Sequence, residues 1–511
     1  MMVESKLLRT LGSVVVALLV ATTGVSCGVD ATSHPATSTA PATTVDATGP
    51  DEQASTSTTV PPIRTIPDPG GPPPDPSIDD VDDSTYGGLG DPRIDVVHYD
   101  LTLRADLDNP VVSGVAVIDL AALTSAPLAS FTLDLDGPTI EAVTVDGATA
   151  QSSAAGEEVT ITPAKALVPF QVATVEVTYS GTPAPEFSEG LDTIVGWQRD
   201  DEGGWFSMPE PDGTSTWAPV SDHPSDKATW RVTLDTQPGV TGVSNGRLRV
   251  QRAEGDRQIW IWAQDNPMAT YLALVAIGRY DLVESPTRPG VMAMSAYPVS
   301  LPASDRAKFD QHLAMIDFYS EVFGPFPEDD TGVVIVPAGI EVAIETKTRP
   351  LISREWLDEF LESVLAHELA HEWFGNSVTP QDWTDLWLNE GFATYAEILW
   401  QEHANGANVR ELIEDDESVM FVSSLAPRSV EAAKDFDPAV YGGGARALHA
   451  LRIEIGDEPF FDLVRRWVEA RRDSTATTED FTSLAAEVAG RPLDDFFQTW
   501  IYQPNPPELP N

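Results

Sequence analysis

The chain is 511 residues long with a formal net charge of −50, 42% apolar residues and one cysteine. Such an acidic surface repels polyanions, which excludes nucleic-acid binding as a function class, and a single cysteine excludes an intramolecular disulfide. Length and apolar content allow two or three domains with cores of their own, and the charge reads as a heavily solvated surface suited to a salty exterior.

At the N-terminus Lys6 and Arg9 precede the apolar run LGSVVVALLVATTGV, followed by Ser26 and Cys27. This is the three-part layout of an export signal over residues 1–27, too short for a comfortable membrane span. The lone cysteine is placed like the lipidation site of bacterial lipoproteins, with Val25 and Ser26 fitting the small-residue pattern and Gly24 departing from it. Ordinary signal cleavage is the alternative. Either way the expectation is export, with the protein anchored on the outer face of the cell membrane through Cys27 or secreted.

Residues 28–88 are rich in Thr, Ser, Pro, Ala and Asp and carry too few apolar side chains to offset the entropy of ordering, so they read as a tether. Its Pro-rich second half is the stiffer part.

From residue 89 the pattern changes. In DPRIDVVHYDLTLRADL, Val97, Tyr99, Leu101 and Leu103 alternate with His98, Asp100, Thr102 and Arg104, the period of a half-buried strand. The runs SFTLDLDG, TIEAVTVDG, VATVEVTYSGT, ATWRVTLDT, GRLRV and RQIWIWAQ continue it between turn residues, predicting an antiparallel β domain over 89–282. Thereafter Phe309, Leu313, Ile316, Phe318 and Val322 recur at helical intervals, and residues 283–511 read as mostly helical. The fold class expected is multidomain α+β.

Within VLAHELAHEWFGNSVTPQDWTDLWLNEGFATY, His367 and His371 stand four apart, so a helix projects both imidazoles from one face toward a single ion, with Glu368 between them. The preceding REWLDEFLESVLA has no Gly or Pro, which supplies the helical context. Imidazole nitrogens suit zinc, and with Cys27 in the leader and no third histidine nearby, a carboxylate must complete the site. Glu390, nineteen positions after His371 on a second predicted helix, is the candidate. Two histidines and a glutamate form the open site of a metallopeptidase. The competing reading is a chance histidine pair on a surface helix with Glu390 solvated.

HELAHEWFGNSVTPQDWTDLWLNEGFATY closely resembles the gluzincin family of zinc aminopeptidases, relatives of aminopeptidase N and leukotriene hydrolase, and the resemblance runs from about residue 92 to the end. It implies a thermolysin-like catalytic domain after the β domain, one Zn2+ per chain and peptide substrates with a free N-terminus. It also implies a short form, since aminopeptidase N continues into a large helical domain. Upstream, VAIET at 342–346 resembles the GAMEN motif, placing Glu345 where the family binds the substrate's α-amino group; Val342 and Thr346 replace its first glycine and its asparagine. SMPEPDGTSTWAPVSDHPSDKATW resembles the segment that supplies a second carboxylate or amide there, which points to Glu210. VYGGGARALHALR, in which a glycine turn after Tyr441 leads into a predicted helix, resembles the YxKGA segment, so Tyr441 matches the catalytic tyrosine while Gly443 replaces the lysine.

The resemblance thus assigns His367, His371 and Glu390 to the metal, Glu368 and Tyr441 to catalysis and Glu345 and Glu210 to the substrate amine. His98, His223, His312, His403 and His449 lack such context and read as structural or surface residues. Two other readings stay open: a metallo-endopeptidase or relaxed-specificity peptidase, because of the altered GAMEN-like segment, and a tethered non-catalytic protein of the same fold.

Overall fold

The computed structural model describes residues 85–285, 290–339, 343–357, 360–415 and 423–510. The export signal, Cys27, residues 28–84 of the expected tether and Val342 lie outside the described residues, whereas its last residues, 85–88, are described, with Thr85 buried and Tyr86 donating from its hydroxyl to the Lys434 carbonyl.

The N-terminal part is built on an eight-stranded sheet ordered Arg247–Glu254, Arg257–Met268, Ala228–Thr236, Ile94–Asp106, Asn109–Ala122, Val172–Gly181, Thr139–Val145 and Ala148–Thr149. Two features depart from the sequence expectation. First, the sheet is not wholly antiparallel: Ile94–Asp106 pairs in parallel with Ala228–Thr236. The long intervening chain, which carries several other strands, supplies the crossover that a parallel pair requires and a hairpin cannot. Second, the pairing of Ile94–Asp106 with Asn109–Ala122 shifts register between Val96 and His98, so Val96 is buried and Val97 only half-buried. The extra residue of this bulge resets the alternation, and Tyr99, Leu101 and Leu103 point into the core as expected.

A second sheet has five strands, ordered Thr241–Ser244, Val275–Gly278, Trp205–Met208, Thr193–Arg199 and Glu186–Ser188. Its central strand Trp205–Met208 leads directly into Glu210. The strand Tyr280–Ser285, which straddles the boundary expected at 282, pairs with Met292–Pro298 and belongs to a third sheet with Val334–Val336, Leu351–Ser353 and Ala343–Ile344. The last of these is an edge strand, and Glu345 follows it directly.

Four helices carry the rest of the argument: α1 (His312–Phe323), α2 (Leu361–Ala370), α3 (Trp387–Asn405) and α4 (Gly444–Ile455). Every side chain of α3 from Trp387 to Trp400 is buried, the mark of a helix enclosed on all faces. It stops at Gly406, whose left-handed φ of 68° lets its N–H reach the carbonyls of Gln401 and Glu402. Trp373, Trp383 and Trp387 are fully buried packing residues. Among the described residues no helix is long and apolar enough to cross a membrane.

Candidate metal centre

The histidine pair sits at the C-terminal end of α2, with His371 as its C-cap. Both rings are buried, His367 at 4% and His371 at 1% exposure, which overturns the surface-helix alternative. α3 packs against α2 and presents Glu390 from its first turn, so that one oxygen lies 3.2 Å from His367 Nε2 and 3.6 Å from His371 Nε2. One ligand atom from each of the three falls within 4.8 Å of the others.

The backs of both rings are held. His367 Nδ1 donates to Glu397 Oε1 at 2.7 Å, and Ser363 Oγ donates to the other Glu397 oxygen at 2.5 Å. His371 Nδ1 lies 3.0 Å from the Phe374 carbonyl; because a carbonyl only accepts, that nitrogen carries the proton. Both Nε2 atoms are thereby turned toward Glu390. This set, two imidazoles held from behind and one carboxylate, fits a zinc ion with a position left for water or substrate. Gly375 permits the tight turn after His371, with φ at +113° and a position where a Cβ would stand 3.3 Å from His371 Nδ1.

Burial opposes charge on His367, but its hydrogen bonds to Glu390 and Glu397 prevail and hold its pKa well above the usual imidazole value. Burial pushes His371 down to about 4. Burial likewise pushes the Glu368 carboxyl up to about 8, opposed by His367 and reinforced by Glu390 and Glu397.

The other sequence-selected residues gather at the same place. Glu345, Glu368 and His371 have ligand atoms within 4.8 Å of one another, as do Glu210, Glu345 and Glu390. Glu210 and Glu345 are 3% exposed, and one carboxylate oxygen of each has no hydrogen-bond partner. Burial, then the neighbouring carboxylates, raises the pKa of both well above the ordinary range.

The half-buried Tyr441 stacks beside His367, ring centroids 6.2 Å apart and planes at 27°. The glycine turn expected there is instead a π-helical turn, Ala439–Gly443, running straight into α4. Such wide turns recur at functional sites. Thr346, in place of the motif's asparagine, is fully buried and donates through Oγ1 to the Arg349 carbonyl at 2.6 Å.

Sequence reading missed three groups. Glu397 follows Glu390 by seven positions, two turns along one helix face, a spacing that could have marked it. Asn376 grips the Glu345 carbonyl through Nδ2 at 2.8 Å, and buried Lys347 donates to the Asn376 carbonyl at 3.0 Å; neither contact has a local signal. Among the described residues the remaining histidines lie away from this cluster: His98 meets Thr229, His223 meets Ser225, His312 meets the Phe309 carbonyl, His403 stacks on Phe318 and His449 meets Tyr395.

Known proteins resemble this chain in sequence and in fold. Residues 96–272 match the peptidase M1 N-terminal domain and residues 309–500 the peptidase family M1 domain. Aminopeptidase M1 of Arabidopsis thaliana is 27% identical over 319 residues, 58% of this chain and 36% of that protein. The chain thus spans about a third of the length of the curated relatives it matches. Among solved structures, a mutant M1 zinc metallopeptidase from Deinococcus radiodurans bound to the substrate Tyr-Ser-Ala superposes with a TM-score of 0.78 at 30% identity, covering 84% of this chain and 99% of that one. A two-domain M1 zinc metallopeptidase mutant bound to L-arginine superposes with a TM-score of 0.77, also at 30% identity and with the same coverage. With a β-rich N-terminal domain followed by the helical catalytic domain, the chain belongs to peptidase family M1.

Proposed function

We propose that the protein is a zinc-dependent aminopeptidase that removes the N-terminal residue of peptides, with one zinc ion per chain. The observation that carries this reading is the pair of buried carboxylates, Glu210 and Glu345, each with an oxygen that has no hydrogen-bond partner, beside the His367–His371–Glu390 cluster. A carboxylate out of water needs a counter-charge, and a substrate's terminal ammonium supplies one by charge-assisted hydrogen bonds. Binding there sets the first peptide bond over Glu368.

His367, His371 and Glu390 would hold the zinc, which supplies Lewis acidity and lowers the pKa of water. Glu368 accepts the proton of the attacking water and delivers it to the leaving amine, a task suited to a carboxyl whose pKa burial has raised. Tyr441 donates from its hydroxyl to the developing oxyanion. Glu397, through His367, fixes the orientation of one ligand.

One observation favours a looser variant of this reading. Because the Thr346 side chain is turned to Arg349, it is not free to grip substrate backbone, which supports relaxed demand at the N-terminus. The reading includes export with anchoring at Cys27, supported by the leader pattern alone; a Cys27→Ser protein that stays in the membrane fraction contradicts the anchor.

The test is zinc-loaded wild-type and Glu368→Gln protein assayed on leucine amide. Turnover by the wild type that falls by about 10²-fold or more in the variant, with zinc content unchanged, is the expected result. Undiminished hydrolysis by Glu368→Gln, or none by the wild type, refutes it.

A further inference from the structure

A second set of ligand atoms lies beside the first metal position. Glu210, Glu345 and Glu390 each contribute one carboxylate oxygen to a group whose atoms lie within 4.8 Å of one another, and all three side chains are buried. One oxygen on Glu210 and one on Glu345 are without a hydrogen-bond partner. The neighbouring charges that act on Glu210 come from Glu345, Glu390 and Glu368, all of them carboxylates. Buried carboxylates in this arrangement are costly unless a cation joins them.

A substrate ammonium is one such cation, but its single charge is spread over three N–H donors. A small divalent ion concentrates twice the charge, and an all-oxygen donor set suits a hard ion. The donor set differs from that of the first position, where two imidazole nitrogens select zinc.

We propose that Glu210 and Glu345, with Glu390 shared between the two positions, form a second divalent-cation site overlapping the place of the substrate's amino group. An ion there and an amine substrate exclude one another, so free divalent metal is a competitive inhibitor and the amine of the substrate is its displacer. This inference rests on the amine-binding reading of Glu210 and Glu345.

The test uses Mn2+ added to zinc-loaded protein, with free Mn2+ read by electron paramagnetic resonance. The acidic surface gives weak background uptake, so the readout is what remains above it. Expected is one Mn2+ per chain, displaced by leucine amide and not by N-acetyl-leucine amide, and lost in Glu210→Gln while zinc content is unchanged. The zinc content reports that the variant is folded, and the displacement measured on wild-type protein stands without it. No uptake above background, uptake unchanged in Glu210→Gln, or uptake that leucine amide does not move overturns the proposal. If any of these occurs while the wild type hydrolyses leucine amide, the aminopeptidase reading stands and the second site alone is lost.

Discussion

Gly391 and Gly444 meet backbone to backbone where α3 crosses α4: a Cβ on Gly391 would lie 2.8 Å from Gly444 Cα, and one on Gly444 would lie 2.7 Å from Gly391 Cα. The contact is one residue from Glu390 and three from Tyr441, so it sets the spacing between the metal-facing carboxylate and the tyrosine. Gly391→Ala forces the helices apart at a cost of about 1–3 kcal/mol, read as a lowered thermal midpoint. Turnover falls as well, since Tyr441 moves relative to Glu390. A variant with wild-type stability and kcat would show that the crossing is not tight.

Glu397 is expected to govern zinc retention. In Glu397→Ala the His367 ring loses its partner at Nδ1 and Ser363 loses its acceptor. Zinc affinity then drops about 10–100-fold in a chelator competition, with the helical content intact. An unchanged zinc affinity would mean that packing alone orients His367.

Tyr441→Phe removes one hydroxyl beside His367. If that hydroxyl meets the developing oxyanion, kcat drops about 10²–10³-fold while KM and zinc content hold, because the contact strengthens only in the transition state. A rise in KM at constant kcat would reassign Tyr441 to ground-state binding.

The β domain carries a pH signature of its own. Burial pushes Asp134 and Asp222 up to about 7 and Asp226 up to about 8, away from the metal cluster. The unfolded chain ionises these groups near the ordinary value of about 3.9, so in the intervening range the native state binds more protons. Their contribution is therefore whole below pH about 4 and lost as pH rises toward about 8, with a slope of at most roughly 1.4 kcal/mol per pH unit per group. Denaturant titrations at several pH values should show this decline, and Asp226→Asn, which keeps an acceptor for the Val96 N–H, should flatten it. Stability rising from pH 5 to pH 8 would contradict the shifts.

The parts of the site written in local spacing were legible from sequence: His367 and His371 by their interval, Glu390 by its helix, Glu345 by a motif that survives two substitutions. What sequence did not carry was long-range or conformational. The parallel pairing of Ile94–Asp106 with Ala228–Thr236 depends on partners more than a hundred positions apart. The bulge at Val97 leaves the apolar pattern ambiguous by one residue. The three glycines after Tyr441 look like a turn, yet Gly444 is small because Gly391 occupies the space, and the turn around them is helical. Glu397 resembled any helix glutamate until His367 was seen facing it.

The central claim is that the enzyme reads a free amino terminus. The most direct measurement compares kcat/KM for a leucyl dipeptide amide with that for its N-acetylated form on zinc-loaded protein. Loss of the ammonium leaves Glu210 and Glu345 buried without a partner, so the acetylated substrate should be slower by about 10²-fold or more. Equal values for the two would contradict the account and identify an endopeptidase.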